Sequence, residues 1–146
     1  MEQKLRVSSA RGRSDAPWVL LAGFLPDEAD EISLAFKKMG WDTLNLRKEA
    51  EIEQAFFAHR FDVTAIDAEN LEVSAPHLIE RLRRARGLSS DATIVAVDTS
   101  VLGEIQEQLM RSGADLVISR PRDPKLYMIN FTRAATLRIQ SIGKAI

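Results

Sequence analysis

The sequence predicts an α/β fold: a five-stranded parallel sheet covered by helices on both faces. Three observations carry this. Short apolar runs of strand length recur along the chain. Between them lie amphipathic stretches of helical period, so that strand and helix alternate five times. The chain has 146 residues and is 45% hydrophobic, which suits one domain with its own core.

The elements follow in order. Met1–Pro17 mixes Arg6, Arg11 and Arg13 with Ser8, Ser9, Gly12 and Ser14 and shows no period, so it reads as a disordered leader. The domain is expected over 18–146. Trp18–Ala22 is a strand buried on both faces, stopped by Gly23. After Pro26, the residues Ile32, Ala35, Phe36 and Met39 share one helical face, and Gly40 closes the helix. Trp41–Leu46 is a weaker strand. Ile52, Ala55 and Phe56 mark a second helix that ends near Arg60. Phe61–Asp67 is a third strand, rich in β-branched residues. Ser74 can cap a third helix with Pro76 in its first turn and Leu78, Leu82 and Ala85 facing inward. Ala92–Val97 is a fourth strand. Leu102, Ile105 and Leu109 mark a fourth helix ending at Gly113, and Leu116–Ser119 is a short fifth strand. Asp123-Pro124 opens an extended last helix carrying Met128, Phe131, Ala135, Ile139 and Ile142.

Composition removes several function classes. A formal net charge of −1 gives no general attraction to nucleic acid or anionic membrane. No cysteine is present, which excludes disulfides, thiolate catalysis and cysteine-held zinc. No apolar run approaches spanning length and the start has no signal-like apolar centre, so a cytoplasmic protein is expected. His59 and His77 fall on different helices, without a tight acidic cluster to complete a metal site. Neither Gly-x-Gly-x-x-Gly nor a Walker-type loop occurs. The cluster Arg81, Arg83, Arg84 and Arg86 lacks interleaved aromatics and reads as a solvated helix face.

In an open parallel sheet, function gathers at the carboxyl ends of the strands. There the residues resemble a known family. Asp62-Val-Thr-Ala-Ile-Asp67 looks like a third strand ending in a phosphoacceptor. Ser112-Gly-Ala-Asp-Leu-Val-Ile-Ser-Arg-Pro121 looks like a Gly-Ala-Asp turn, fifth strand and Lys-Pro step. Ala22-Gly-Phe-Leu-Pro26 sits where an acidic pair precedes a proline. Together, from Trp18 to about Thr136, these resemble the receiver domain of bacterial response regulators. The resemblance implies a flavodoxin-like (βα)5 three-layer sandwich with strand order 2-1-3-4-5, and a place in two-component phosphorelay signalling.

The same alignment marks a degenerate phosphorylation site. The family's magnesium needs acidic ligands after the first strand, and here those positions are Gly23 and Phe24, or Ala22 and Gly23 with a one-residue slip. Asp27 and Glu28 follow Pro26 and read as first-turn acids that favour the helix dipole. The hydroxyl expected at the end of the fourth strand is replaced by Val97 or Asp98, neither of which supplies a neutral donor. Thr99 and Ser100 read as helix caps. Arg120 stands for the family lysine and is suited to bidentate pairing, so an Arg120–Asp67 pair is available to imitate the phosphorylated state or to lock the site. The resemblance also implies a cis Arg120-Pro121 bond. Val117 occupies the aromatic switch position and has too stiff and short a side chain to swing. Asp67 alone survives unchanged.

The expectation is therefore a pseudo-receiver: a module that signals through protein contacts independent of phosphorylation, with no enzymatic activity, cofactor or metal. Rival readings are an active receiver phosphorylated on Asp67 and a small-ligand flavodoxin-like domain, with Phe24, Trp41 or the missing acidic pair opening a pocket for something uncharged. The last helix carries apolar residues on more than one face, among them Leu126, Ile129 and Leu137. With the resemblance, this points to a partner or homodimer surface on the fourth helix, fifth strand and last helix, built from Leu102, Gln106, Met110, Ile118, Met128, Ile139 and Ile142. Neither membrane nor nucleic acid is an expected partner.

Overall fold

The computed structural model describes residues 16–85, 87, 91–99 and 103–145, with side chains in the last helix as far as Thr136. Most of the expected leader, Leu102, and the side chains of Leu137, Ile139 and Ile142 lie outside the described residues. Ten elements alternate along the chain: β1 Trp18–Ala22, α1 Pro26–Lys38, β2 Asp42–Leu46, α2 Glu49–Ala58, β3 Val63–Asp67, α3 Ala75–Arg84, β4 Thr93–Val97, α4 Gly103–Ser112, β5 Leu116–Ile118 and α5 Lys125–Ala145. All strand pairs are parallel and the sheet order is β2-β1-β3-β4-β5. The fold class and strand order are those expected.

The two-residue period of a strand decides which helix each side chain meets. Leu20, Ala22, Ile66, Ile94 and Ala96 point to one face, against Ile52 and Phe56 of α2, Leu78 and Leu82 of α3, and Leu109 of α4. Val19, Leu21, Val63, Ala65 and Val95 point to the other, against Ile32 and Phe36 of α1 and Tyr127, Phe131 and Ala134 of α5. Central strands β1, β3 and β4 are buried at every position, whereas edge strand β2 is largely half-exposed. That explains why β2 carries the weaker apolar signal.

Several boundaries and burials differ from expectation. Pro17 already belongs to the sheet margin, its carbonyl accepting from the Asp42 amide at 2.9 Å. Met39 caps α1 and is exposed, since the helix ends one residue short of it. Ala85 likewise follows α3 as its C-cap and is only half-buried. Ser74 does cap α3, accepting from the His77 amide at 3.4 Å. The arginine cluster on α3 divides. Arg81 pairs with Glu49 and Glu53, and Arg84 is exposed near Glu80. Arg83 is no solvated residue: it donates to the carbonyls of Gly113 and Ala92 and pairs with Asp115 at 2.7 Å. Arg86 is outside the described residues.

Candidate functional site

The site lies at the carboxyl edge of the sheet, on the face that carries α1 and α5. Asp67 closes β3 with the same parity as Val63 and Ala65, so its side chain turns toward those two helices and is fully buried. Arg120, two residues beyond Ile118 and two more beyond Leu116, arrives on the same face.

Asp67 uses both carboxylate oxygens. Oδ1 accepts from the amides of Glu69 at 3.1 Å and Asn70 at 3.2 Å and from Arg120 Nη2 at 2.8 Å. Oδ2 accepts from Asn70 Nδ2 at 2.7 Å. The two amides follow from an Asx-type turn after β3, which aspartate favours by bonding its own downstream backbone.

Arg120 is the hub. Its guanidinium pairs with Glu28 of α1, with Asp67 of β3 and with Glu69 of the following turn, the last at 3.0 Å. Tyr127 of α5 donates its hydroxyl to Glu28 Oε2 at 2.9 Å and itself accepts from Arg120 Nη1 at 3.4 Å. The Thr99 hydroxyl donates to Glu69, which ties in the segment after β4. One planar cation thus joins three carboxylates on separate elements, its five N–H donors fanned out in a fixed plane. The electrostatics follow this geometry. Burial alone would lower the Arg120 pKa, but hydrogen bonding to Glu28 and the charge of Asp67 hold it above its ordinary value. Burial raises the Tyr127 phenol, and its bond to Glu28 raises it further. Burial would raise Glu69 as well, yet bonds from Thr99 and Arg120 outweigh it and the carboxyl lies below its ordinary value.

At the end of β1, Gly23 has a φ of +86° and donates its amide to the Leu46 carbonyl at 2.9 Å. A Cβ at this position would lie 2.8 Å from Leu71 Cδ1. Phe24 is buried in the core, edge-on to Tyr127 with ring centroids 6.0 Å apart. Trp41, another position expected to open a pocket, packs on Phe36 with centroids 5.5 Å apart and lines a cleft of about 360 Å³ with Leu34, Lys37 and Thr43. Val97 is fully buried at the end of β4, and Asp98 beside it is nearly so, its amide donating to the Ile118 carbonyl at 2.9 Å. Val117 faces the α2–α4 side, opposite to Arg120, and is half-buried there.

The residues present do not fit a divalent cation of the kind the fold family holds. The positions after β1 present a glycine with no room for a side chain and a core phenylalanine. Glu28 and Asp67 converge on a guanidinium. Among the described residues no group of three His, Cys, Asp or Glu side chains is arranged to hold a metal ion.

Sequence reasoning missed Glu28, Glu69, Asn70 and Tyr127. Glu28 read as a dipole-compensating acid, and it does sit in the first turn of α1, but its carboxylate reaches Arg120 across the sheet edge. Tyr127 carried a usable signal: it is the single tyrosine, in an apolar helix face, and a buried phenol needs a partner. The Arg120-Pro121 bond is trans, since no cis peptide occurs among the described residues, so the cis expectation is corrected. Trans is the intrinsically favoured isomer before proline. Of the expected partner face, Met110 is exposed and Gln106 and Ile118 are half-exposed. Met128 is buried among the side chains that α1 and α5 contribute to the core, so it does not belong to that face.

No protein-family model matches the chain, and no curated protein matches it in sequence. Solved structures do. A CheY-like response-regulator receiver domain protein from Methanospirillum hungatei matches with TM-score 0.75 at 13% identity, covering 87% of this chain and 99% of that one. A chemotaxis response regulator of Vibrio cholerae matches with TM-score 0.73 at 16% identity, covering 82% and 98%. The receiver domain of a sensor histidine kinase from Pseudomonas aeruginosa, solved with magnesium coordinated in its active-site cleft, matches with TM-score 0.70 at 14% identity, covering 83% and 98%. The fold of this chain is therefore the flavodoxin-like fold of receiver domains.

Proposed function

We propose that the protein is a pseudo-receiver, a signalling module whose protein contacts do not depend on phosphorylation and which catalyses no phosphoryl transfer. One observation carries the reading: the Arg120 guanidinium occupies the acceptor Asp67 and bridges it to Glu28 and Glu69. Attack on a phosphoryl group needs a free carboxylate oxygen and a cation to neutralise the developing charge. Here both oxygens of Asp67 are engaged. The cation present is fixed in the protein, and it already offsets the charge that a metal would offset. The site is thereby held in one arrangement by permanent charges. A signalling partner would meet the α4–β5 side, through Gln106, Met110 and Ile118.

The test is NMR titration with magnesium and beryllofluoride, or with magnesium and a small phosphodonor. At millimolar metal the amide shifts of Gly23, Asp67 and Thr99 are expected to stay unchanged, as for a site short of free carboxylates. Saturable shifts that disappear in Asp67→Asn would establish the active-receiver reading instead.

A further inference from the structure

The groove between α1 and α5 is lined neither by the residues of the Arg120 cluster nor by Gln106, Met110 or Ile118. It encloses about 790 Å³ and is floored by Ala35 and Met128. Large apolar side chains stand open along it: Leu34 at 58% exposure, Met39 at 67% and Ile129 at 63%. Exposed apolar residues grouped in this way mark a contact surface, whereas scattered ones do not.

The charges around the groove identify what covers it. Both helices run away from the carboxyl edge of the sheet, and Phe36 stacks on Phe131 with centroids 5.6 Å apart, which fixes their relative height. Toward the carboxyl edge two acids, Glu31 on α1 and Asp123 just before α5, outnumber one base, Lys125. Basic residues stand toward the other end, Lys38 on α1 and Arg133 on α5. A partner of one charge sign would meet repulsion at one end. A second copy, turned end for end, meets attraction at both. The midpoint between Glu31 and Lys38 falls at Leu34–Ala35, and the Phe36–Phe131 stack places Ile129 at nearly the same height. A two-fold axis across the helices at that level sets Glu31 opposite the other copy's Lys38, and Asp123 toward the other copy's Arg133. Leu34 and Ile129 then pack near the axis, as an isologous contact requires.

We infer that the α1–α5 groove is a homodimer surface, occupied by a second copy of this chain in antiparallel two-fold arrangement. Apolar residues at the centre and opposite charges at the rim have the distribution of an interface core and its steering border.

Sedimentation equilibrium or light scattering of the full chain, from low to high micromolar, tests this. The mass is expected to rise from monomer to dimer with concentration. Ile129→Glu should leave a monomer throughout with an unchanged melting curve, because position 129 faces solvent in the single copy. Lys38→Glu should weaken the dimer roughly tenfold at low salt, and adding Glu31→Lys in the same chain should restore it. A wild-type monomer at all concentrations overturns the inference. So does a dimer that survives Ile129→Glu but is lost in Met110→Glu, which would place the contact on α4. A Glu31→Lys/Lys38→Glu chain no tighter than Lys38→Glu alone rejects the antiparallel arrangement.

Discussion

Arg83 and Arg120 are anchored at opposite edges of the same sheet and show how much the company of a charge decides its use. Among the described residues Arg83, near the amino end of β4 and β5, meets the Asp115 carboxylate and two backbone carbonyls. Asp115 in turn accepts from the Ile94 amide at 2.8 Å. The cluster fastens α3 to the sheet. Gly113, at φ +126°, leaves room for the arginine stem, since a Cβ there would lie 2.7 Å from Arg83 Cγ. Arg120, at the carboxyl edge, meets three carboxylates, one of them fully buried. The first cluster is a staple. The second gathers three carboxylates around one cation, among the described residues.

Replacing each hub by an uncharged side chain of similar length would sharpen the contrast. Arg120→Met is expected to destabilise by about 3 kcal/mol at neutral pH, because Asp67 is then buried without its cation. In the Asp67→Asn background the same replacement should cost less than half as much, since the stranded charge is gone. Arg83→Met is expected to cost about 2 kcal/mol, chiefly for two carbonyls and a carboxylate left short of donors. Urea unfolding of the four variants decides between the two accounts. Equal losses at Arg120 with and without Asp67 would erase the distinction between staple and hub.

Tyr127 offers a subtler probe of the carboxyl edge. Burial and the Glu28 carboxylate raise its folded-state pKa above the ordinary 10.0. Below pH 10 neither the folded nor the unfolded chain ionises it, and its contribution to stability is complete. Above pH 10 the unfolded chain loses the proton and the folded chain keeps it, so stability falls as pH rises. The alkaline decline should be shallower in Tyr127→Phe. Because this is the single tyrosine, absorbance of tyrosinate in the native protein reports it directly and is expected to stay flat through pH 10. A normal titration near pH 10 would show that the phenol is not held by Glu28.

The smallest effect is expected at Thr99→Val. The hydroxyl is exposed and donates to a Glu69 side chain that is 35% exposed, so solvent replaces much of what is lost. A change of about 0.5 kcal/mol is expected in denaturant unfolding. A loss as large as that of Arg120→Met would mean that the segment after β4, not the guanidinium, holds the edge together.

The fold was legible because burial on both faces leaves a continuous apolar trace, visible in Trp18–Ala22 and Thr93–Val97. The half-exposed edge strand β2 left a fainter one. The Arg120–Asp67 contact was legible from the resemblance and from the readiness of arginine to pair with carboxylate. Glu28, Glu69 and Tyr127 were not, because their roles come from elements distant in sequence: Glu28 and Arg120 are 92 residues apart and Tyr127 and Glu28 are 99. Nothing local distinguishes a first-turn glutamate that offsets the helix dipole from one that reaches across a sheet edge. Met128 was misplaced for a related reason. Helical period identifies a stripe, but which neighbour covers it depends on how the helix is rotated against the sheet.

Gly23 gives the carboxyl edge a direction in evolutionary time. An acid at position 23 is obstructed, because aspartate there would have to enter a left-handed backbone conformation and displace Leu71 from contact distance. Each correction made alone leaves a less stable chain, and a domain of ordinary stability has little margin for that. Sequences descending from this one are expected to vary around the glycine, refining contacts on the outer helices, sooner than to gain a carboxylate there.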